Sequence, residues 1–390
     1  MIMKKKILTI TITIVIIFAV LVGIYLGGIY LRNITKQDNI KDYAIDAKKL
    51  SNVVTNEELK KHHSDLERIY GFIGQDLSQK DLSKLSLEAI SNISFDKSTK
   101  WPENVKLPQG YDPNKWFDMG KDPGLNLSKI HERGITGKGI SVAVIDKPIR
   151  STHDEFKGRM NYYKIGIPQT KPHFHGLACA SILTGKTCGV ASESKLYYFA
   201  TPDLWIKSAD YIKAVNKIIE INKSLPKNEK IRIVSVSDDV DKDNKNYSKW
   251  QETLKKANSE GLTVVHADLF NKEKFRLGGC DVSKNRNNPL NYKLSKFYWD
   301  EKKIDKSNIM VPSDFRTTAD NRSDAAYVYW GEGGVSWAIP YVTGLAALAW
   351  QVNPNLTFDQ ILDKLIETKT TTSEGRNIID PEKFINSIAK

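Results

Sequence analysis

Apolar residues follow three patterns along this chain, and each pattern predicts a different kind of element. Residues 7–31 contain no charged side chain, and a run of this length can cross a bilayer as a helix. Residues 140–145 and 231–234 are short, largely apolar runs, typical of strands in a parallel sheet. Residues 337–350 are apolar except for Thr343, which predicts a helix buried on nearly all sides.

The region after residue 120 alternates between strand-like and helix-like segments, which favours an α/β fold with a mainly parallel sheet. We predict helices over 203–222, 249–259, 358–367 and 381–388, and strands over 231–236 and 262–266. Residues 271–308 are charged and poor in periodicity, so we expect a binding loop or an irregular insertion there. Residues 121–390 are then about one large α/β domain.

The N-terminus predicts a single-pass membrane anchor. Lys4, Lys5 and Lys6 precede the apolar run, and positive flanking residues stay in the cytoplasm. We therefore expect a cytoplasmic tail at 1–6, an anchor at 7–31 and an extracellular remainder at the cell membrane. A cleaved secretory signal is the alternative, because the Gly-Gly pair at 27–28 offers small residues for cleavage.

Residues 32–120 are polar and rich in lysine, and we predict a stalk or a short pro-like region. Within this segment, residues 56–77 carry apolar side chains at helical spacing, which indicates an amphipathic helix. Apolar residues between 82 and 90 indicate a second, shorter amphipathic piece.

Ser336 stands at the mouth of the apolar helix, directly after a pair of glycines and a valine. The first amides of a helix lack intrahelical acceptors and lie at the positive end of its dipole. Ser336 could therefore sit beside an oxyanion site, with Gly333 and Gly334 allowing close approach of a ligand. The alternative is a simple helix cap.

Two further side chains could supply chemistry. Asp146 ends the strand-like run at 140–145, where parallel sheets place their active sites, although a carboxylate here could also be a cap. His175 precedes a glycine and a small-residue apolar helix, and it could equally be a buried structural histidine.

Together, in the order Asp146, His175 and Ser336, the three segments resemble the subtilisin-like serine proteases, the subtilase family. The run Val-Ile-Asp at 144–146 is similar to the aspartate strand of that family. The residues from His175 to position 183 are similar to its histidine helix, and Gly-Val-Ser-Trp-Ala-Ile-Pro at 334–340 is similar to its serine signature. The resemblance covers roughly residues 124–390. It implies a subtilisin-like three-layer α/β/α fold.

The resemblance also implies roles for the three residues. Ser336 would be the nucleophile, His175 the base that takes its proton, and Asp146 the group that orients the imidazole and stabilises its charged form.

The chain departs from the family at two places. Counting along the strand at 261–265 puts Phe270 where the family carries an oxyanion asparagine, and Asn271 follows one residue later; we name Asn271 as the candidate donor. Ser237, Asp238 and Asp239 belong to the segment that corresponds to the family's substrate-binding strand, and the two aspartates stand near the positions where the family carries glycines. Their acidic pair predicts either a cleft that prefers cationic substrates or a solvated turn.

The composition of the chain limits the classes of binding partner that we expect. The 390 residues carry a formal charge of +12, but the lysines are scattered rather than clustered with aromatics, so we expect no nucleic acid. Peptides or proteins are the expected substrates, and the membrane is a partner through residues 7–31.

The three cysteines are too few to predict a disulfide framework. Cys188 and Cys280 could form one disulfide outside the cell, and Cys179 is expected to be a small buried residue. We predict no metal site and no cofactor. A structural calcium ion is conceivable from the resemblance, but no ligand loop can be assigned.

The sequence thus predicts a membrane-anchored extracellular serine endopeptidase acting through an Asp-His-Ser triad and an acyl-enzyme. The alternative is a non-catalytic relative that serves as a binding or regulatory module. An unrelated α/β hydrolase is disfavoured, because its nucleophile motif would need a glycine where Ala338 stands.

Overall fold

A computed structural model describes most of the chain beyond the predicted anchor. The described residues are 43–62, 65–166, 171–202, 208–272, 275–280, 282–295 and 307–389. The cytoplasmic tail predicted at 1–6 and the membrane helix predicted at 7–31 lie outside the described residues, and both stay predictions.

The strands are numbered here in chain order. They are β1 Phe95–Asp96, β2 Ser141–Asp146, β3 Met160–Lys164, β4 Lys195–Ala200, β5 Ile231–Ser235, β6 Thr263–Val265, β7 Phe275–Cys280, β8 Tyr292–Leu294, β9 Ile309–Pro312, β10 Arg316–Ala319, β11 Tyr327–Trp330, β12 Thr370–Thr371 and β13 Asn377–Ile378.

The helices alternate with these strands over most of the body. The α-helices are Asn56–Leu59, Asp65–Tyr70, Leu87–Ser91, Pro113–Met119, Leu127–Glu132, Phe174–Thr184, Ser208–Ser224, Tyr247–Ser259, Asp268–Lys272, Val335–Val352, Phe358–Glu367 and Pro381–Ile388. The last two have the bounds that their periodicity predicts. Below, Phe174–Thr184 is called the histidine helix and Val335–Val352 the serine helix.

A parallel sheet of five strands, in the order β3-β4-β2-β5-β6, forms the centre of the body. All four of its pairings are parallel, so every strand ends at the same edge. Strand β2 lies in the middle, and Asp146 is its last residue, opposite Ala200 of β4. The predicted α/β fold with a parallel sheet is confirmed.

Successive residues of β2 belong to two different cores. Val142 and Val144 pack in one core with the histidine and serine helices, whereas Ala143 and Ile145 pack in another. The second core also contains residues of the helices Ser208–Ser224 and Tyr247–Ser259. Because side chains alternate between the faces of a strand, the sheet is covered by helices on both faces, which gives three α/β/α layers.

The serine helix runs through the first core. Its residues from Trp337 to Trp350 are all buried, as its nearly continuous apolar sequence predicts. Thr343, the polar exception, donates its hydroxyl to the carbonyl of Ile339 at 2.9 Å. Among the described residues this is the helix that is long and apolar enough to span a membrane, but 78% of it is buried inside the protein. Its apolarity therefore serves the core.

The described part of the polar segment is folded onto the body, over residues 43–120. It has its own buried cluster, which includes Phe72, Leu82 and Phe95. Strand β1 extends a second, antiparallel sheet by pairing with β11. Over these residues the chain is therefore a packed layer and not an extended stalk, because lysine-rich sequence here alternates with enough apolar side chains to form a core.

The helix predicted over 56–77 is wrong in extent. The chain forms two short helices, Asn56–Leu59 and Asp65–Tyr70. Gly71 and Gly74 adopt positive φ angles of 49° and 69°, which end helical geometry before residue 77. In the second amphipathic segment, predicted from the apolar residues between 82 and 90, only Leu87–Ser91 is helical.

Residues 271–308, predicted as an irregular segment, contain strands. β7 and β8 pair antiparallel, and β7 also pairs in parallel with β9. The sequence shows no alternation of apolar and polar residues here because β7 ends in Gly278, Gly279 and Cys280. The three cysteines of the chain are buried, and no disulfide joins any two of them, so Cys188 and Cys280 do not form the disulfide considered from the sequence.

Replacing Phe95 with alanine should test whether the layer at 43–120 is integral to the fold. The Phe95 ring is 2% exposed, and it lies 4.8 Å from the ring of Tyr329 and 5.2 Å from that of Trp101. We expect Phe95→Ala to lower the free energy of unfolding by about 3–5 kcal/mol, measured by urea denaturation. Val105→Ala is the control, because Val105 is 78% exposed, and its effect should stay within about 0.5 kcal/mol. An equally small effect of Phe95→Ala would show that this layer is peripheral.

Candidate active site

Asp146 is held at the edge of the parallel sheet by its own backbone. Its carbonyl accepts a hydrogen bond from the amide of Thr201 at 2.8 Å, and its carboxylate accepts one from the amide of Lys147 at 2.7 Å. The residue is only 2% exposed. A carboxylate this deeply buried needs a cationic or hydrogen-bonding partner to stay ionised.

His175 supplies that partner. It is the second residue of the histidine helix, which begins after the cap His173. The Nδ1 atom of His175 lies 2.9 Å from Oδ2 and 3.0 Å from Oδ1 of Asp146. A proton on Nδ1 is donated to the carboxylate, so Nε2 is the nitrogen left for other chemistry.

Gly176 lets the histidine helix approach the sheet this closely. A Cβ atom at this position would overlap the hydroxyl of Tyr198 and lie 2.8 Å from the carbonyl oxygen of Lys147. The glycine beside His175 is therefore required by packing, and it sets the distance between the imidazole and Asp146.

The pair is strongly coupled electrostatically. Burial favours the neutral imidazole, but the adjacent Asp146 carboxylate raises the pKa of His175 well above its usual value. Burial also opposes ionisation of Asp146, yet the charge and hydrogen bond of His175 hold the pKa of that carboxyl below its usual value. The pair therefore stabilises the folded chain fully between about pH 4 and about pH 6.5, the unfolded values of aspartate and histidine. This stabilisation is lost as pH rises through the folded pKa of His175 and as pH falls through that of Asp146.

His173 is different although it is two residues away. Burial, with the nearby Lys147 charge, lowers the pKa of His173 to about 3. Its Nδ1 accepts a hydrogen bond from the amide of His175 at 3.2 Å. His173 is therefore a neutral helix cap, and it is not a second base.

Ser336 lies beside this pair at the start of the serine helix. Gly334 precedes the helix with φ 96°, a conformation that side chains rarely adopt, and it turns the chain sharply into the first turn. The hydroxyl of Ser336 donates to the carbonyl of Ser237 at 3.5 Å, and Ser237 returns a hydrogen bond to the Ser336 carbonyl at 3.1 Å. Among the described residues, no hydrogen bond joins Ser336 Oγ to the His175 ring.

Cys179 links the two helices at the same place. Its thiol donates to the carbonyl of Ser336 at 3.3 Å, and its Sγ lies 3.8 Å from Nδ1 of His175. Burial raises the pKa of the thiol. The small size and burial of Cys179 agree with the sequence prediction. Its position between His175 and Ser336 was not predicted, although the spacing of four residues places the His175 and Cys179 side chains on one helix face.

The structure brings Asp146, His175 and Ser336 together at one edge of the sheet. This arrangement excludes two alternatives that the sequence left open. Asp146 is not a helix cap, and His175 is not surrounded by core residues alone.

The oxyanion candidates are not equivalent. Phe270 is 2% exposed and its ring lies 6.3 Å from that of Phe275 in the core, so this position offers no polar donor. Asn271 follows it in the short helix Asp268–Lys272, and its role as a donor stays a prediction. The backbone amide of Ser336, in the first turn of the serine helix, is the other candidate.

The acidic residues of the predicted substrate strand are engaged by other side chains. Asp238 accepts a hydrogen bond from the hydroxyl of Tyr211 at 2.6 Å. Asp239 Oδ1 lies 3.0 Å from Nδ1 of His266. The pair is therefore not simply a solvated turn. Tyr211 and His266 gave no sequence signal, because only the fold brings them to this loop.

The N-terminal layer reaches the same region. The ring of Tyr70 lies 5.7 Å from that of Phe174, the neighbour of His175. The guanidinium of Arg68 lies 3.5 Å from the carboxylate of Glu332, four residues before Ser336. Burial raises the pKa of Glu332 to about 8. Residues of the segment predicted to be a stalk or a short pro-like region therefore border the candidate site.

Comparisons with known proteins relate part of the chain to one protein family. Residues 137–271 match the model of the subtilase family. The cuticle-degrading protease of Metarhizium anisopliae is 43% identical over 63 residues, which cover 16% of this chain and 16% of that protein. Subtilisin-like protease 2 of Trichophyton verrucosum is 31% identical over 137 residues, which cover 34% of this chain and 31% of that protein.

A solved structure shows the same fold. The A-subunit of the AB5 toxin from E. coli has a TM-score of 0.52 and 18% identity, covering 69% of this chain and 98% of that one. This likeness shows a shared α/β fold, and the family match indicates that the fold is of the subtilisin-like type. The chain is similar to the subtilase family over residues 137–271, and it spans less than a third of the length of these two curated relatives.

An NMR titration should reveal the charge coupling at the site. In protein labelled with ¹³C-histidine, we expect His175 to titrate above pH 6.5. In Asp146→Asn the pKa of His175 should fall below 6.5, since burial then acts without the opposing carboxylate. Asp324→Asn, which removes an exposed carboxylate paired with Arg150, should leave His175 unchanged. An unchanged His175 titration in Asp146→Asn would contradict the coupling.

Proposed function

We propose that this chain is a serine endopeptidase that hydrolyses peptide bonds in peptide or protein substrates. The observation that carries the proposal is the meeting, at one sheet edge, of the hydrogen-bonded Asp146–His175 pair and Ser336. A hydroxyl is a weak nucleophile unless a base lies within reach. The similarity of residues 137–271 to the subtilase family supports the same reaction class.

The proposed reaction begins with a rotation of the Ser336 hydroxyl. It leaves the carbonyl of Ser237 and donates its proton to Nε2 of His175 as Oγ attacks the substrate carbonyl carbon. Asp146 holds the proton on Nδ1 and stabilises the imidazolium. The carbonyl oxygen gains negative charge in the tetrahedral intermediate, and the Ser336 amide at the helix N-terminus donates to it.

The second half of the reaction reverses the proton movement. His175 gives its proton to the departing amine as the C–N bond breaks, which leaves an acyl group on Ser336 Oγ. Water then attacks this ester as His175 takes a proton from it. The acyl–oxygen bond breaks as His175 returns that proton to Ser336 Oγ, which releases the carboxylic acid product and regenerates the hydroxyl. Because His175 must be neutral to act as a base, its raised pKa makes activity increase toward alkaline pH.

A non-catalytic subtilase is the second candidate, and two observations favour it. Ser336 Oγ is hydrogen-bonded to the Ser237 carbonyl and not to His175, and buried Phe270 stands where the family carries a polar oxyanion donor. Such a protein would use the same fold as a binding or regulatory module.

A fluorophosphonate probe should separate the two candidates, because it reacts only with an activated serine. We expect labelling of the folded wild-type chain at Ser336, and hydrolysis of a peptide library that falls by roughly 10⁴-fold or more in Ser336→Ala. Ser259→Ala, at an exposed position, is the matched control and should retain both signals. If folded wild-type protein is not labelled under conditions that label a known serine protease, the peptidase proposal is wrong.

We further propose that residues 7–31 anchor the chain in the cell membrane, with the peptidase domain outside. The support is the uncharged run and the preceding lysines. Full-length protein should remain in the membrane pellet after alkaline carbonate extraction, whereas a chain starting at residue 32 should be released. A protease added to intact cells should degrade the domain if it is extracellular. Release of the full-length chain by carbonate would contradict anchoring.

A further inference from the structure

A second group of chemically active side chains lies next to the candidate site, and the proposed reaction does not use it. Asp239, His266 and Asp268 each present a nitrogen or oxygen ligand atom, and these atoms all lie within 4.8 Å of one another. The pair Asp239–His266 is in contact at 3.0 Å. This spacing is compatible with three ligands around one metal ion, whose bonds to such atoms are about 2.0–2.2 Å long.

The fold brings these residues together from two neighbouring strands. Asp239 follows β5, while His266 follows β6 directly and Asp268 begins the next short helix. The two loops are joined through the backbone, since the amide of Ala267 donates to the carbonyl of Asp238 at 3.1 Å. The three ligand atoms are therefore presented by a connected backbone at the carboxyl edge of the sheet.

Neighbouring groups hold the ligands in place. The ring of the fully buried Trp250 packs edge-on against the His266 ring at 5.8 Å. The amide of Val240 donates to Asp239 at 2.7 Å. Such support orients ligands before a metal arrives.

The group is also accessible. The His266 side chain is 12% exposed and that of Asp239 is 21% exposed, so an ion can reach it from solvent. Two carboxylates and a neutral imidazole balance the charge of a divalent ion. The imidazole disfavours Ca²⁺ and Mg²⁺, which take oxygen ligands, and favours a first-row transition metal or zinc.

We propose that Asp239, His266 and Asp268 form a binding site for a divalent metal ion, Zn²⁺ in the first instance, with water completing its coordination. The ion would tie the loop after β5 to the loop after β6. Asp239 is two residues from Ser237, which exchanges hydrogen bonds with Ser336, so bound zinc fixes the backbone that lies beside the nucleophile. The site does not depend on the chain being a peptidase.

Calorimetric titration of the full-length chain with Zn²⁺ should test this directly. We expect one high-affinity site per chain and a higher unfolding temperature with zinc, because an ion bound only by the folded state stabilises it. His266→Gln and Asp268→Asn should each weaken binding at least about tenfold and remove the thermal shift; even loss of a residue that only supports a ligand costs roughly 10–100-fold. Circular dichroism establishes that each variant is folded.

Two control variants make the assignment specific. Asp241→Asn changes an exposed carboxylate of the same loop and should bind zinc as the wild type does. Cys179→Ser disrupts the other group with metal-ligating atoms, Asp146, His175 and Cys179, and should also leave binding intact. Absence of zinc binding in wild-type protein, or binding that survives His266→Gln and disappears in Cys179→Ser, would overturn the proposal. Neither outcome bears on fluorophosphonate labelling of Ser336, which tests the peptidase proposal separately.

Discussion

The close approach of two buried helices to one parallel sheet is the constraint on which the site depends. The serine helix contacts the segment after the histidine helix at Gly344, where a Cβ atom would lie 2.6 Å from that of Val190. Gly176 permits a similarly close contact between the histidine helix and the sheet. Because interiors of this density do not deform continuously, the packing of apolar surfaces fixes where His175 and Ser336 meet.

Buried charge is concentrated at the edge that this packing creates. Asp146 is nearly inaccessible to water and is compensated by His175 at 2.9 Å. In the loop after β5, Asp239 is matched by His266. Asp146 ends one strand of the parallel sheet and Asp239 follows another, and each carboxylate meets an imidazole from a neighbouring element. The same topology thus produces two polar groups, one with the geometry of a catalytic pair and one with that of a metal site.

The layer formed by residues 43–120 adds a boundary to the candidate site. Strand β1 of the layer pairs with β11, the strand that ends shortly before the serine helix. Tyr70 of the layer contacts the ring of Phe174, the residue next to His175. Arg68 of the layer lies 3.5 Å from the carboxylate of Glu332, and its charge opposes the effect of burial, which raises the pKa of that carboxyl.

The sequence by itself determined the elements whose patterns are local. The apolar run of the serine helix, the strand ending in Asp146 and the two C-terminal helices were all predictable, because their periodicity reflects burial on defined faces. The order of Asp146, His175 and Ser336 was sufficient to indicate the family. Only the tertiary structure decided the rest. The contact of Asp239 with His266, the position of Cys179 and the folding of the lysine-rich segment depend on residues distant in sequence, and no local pattern encodes which distant surfaces will be buried together.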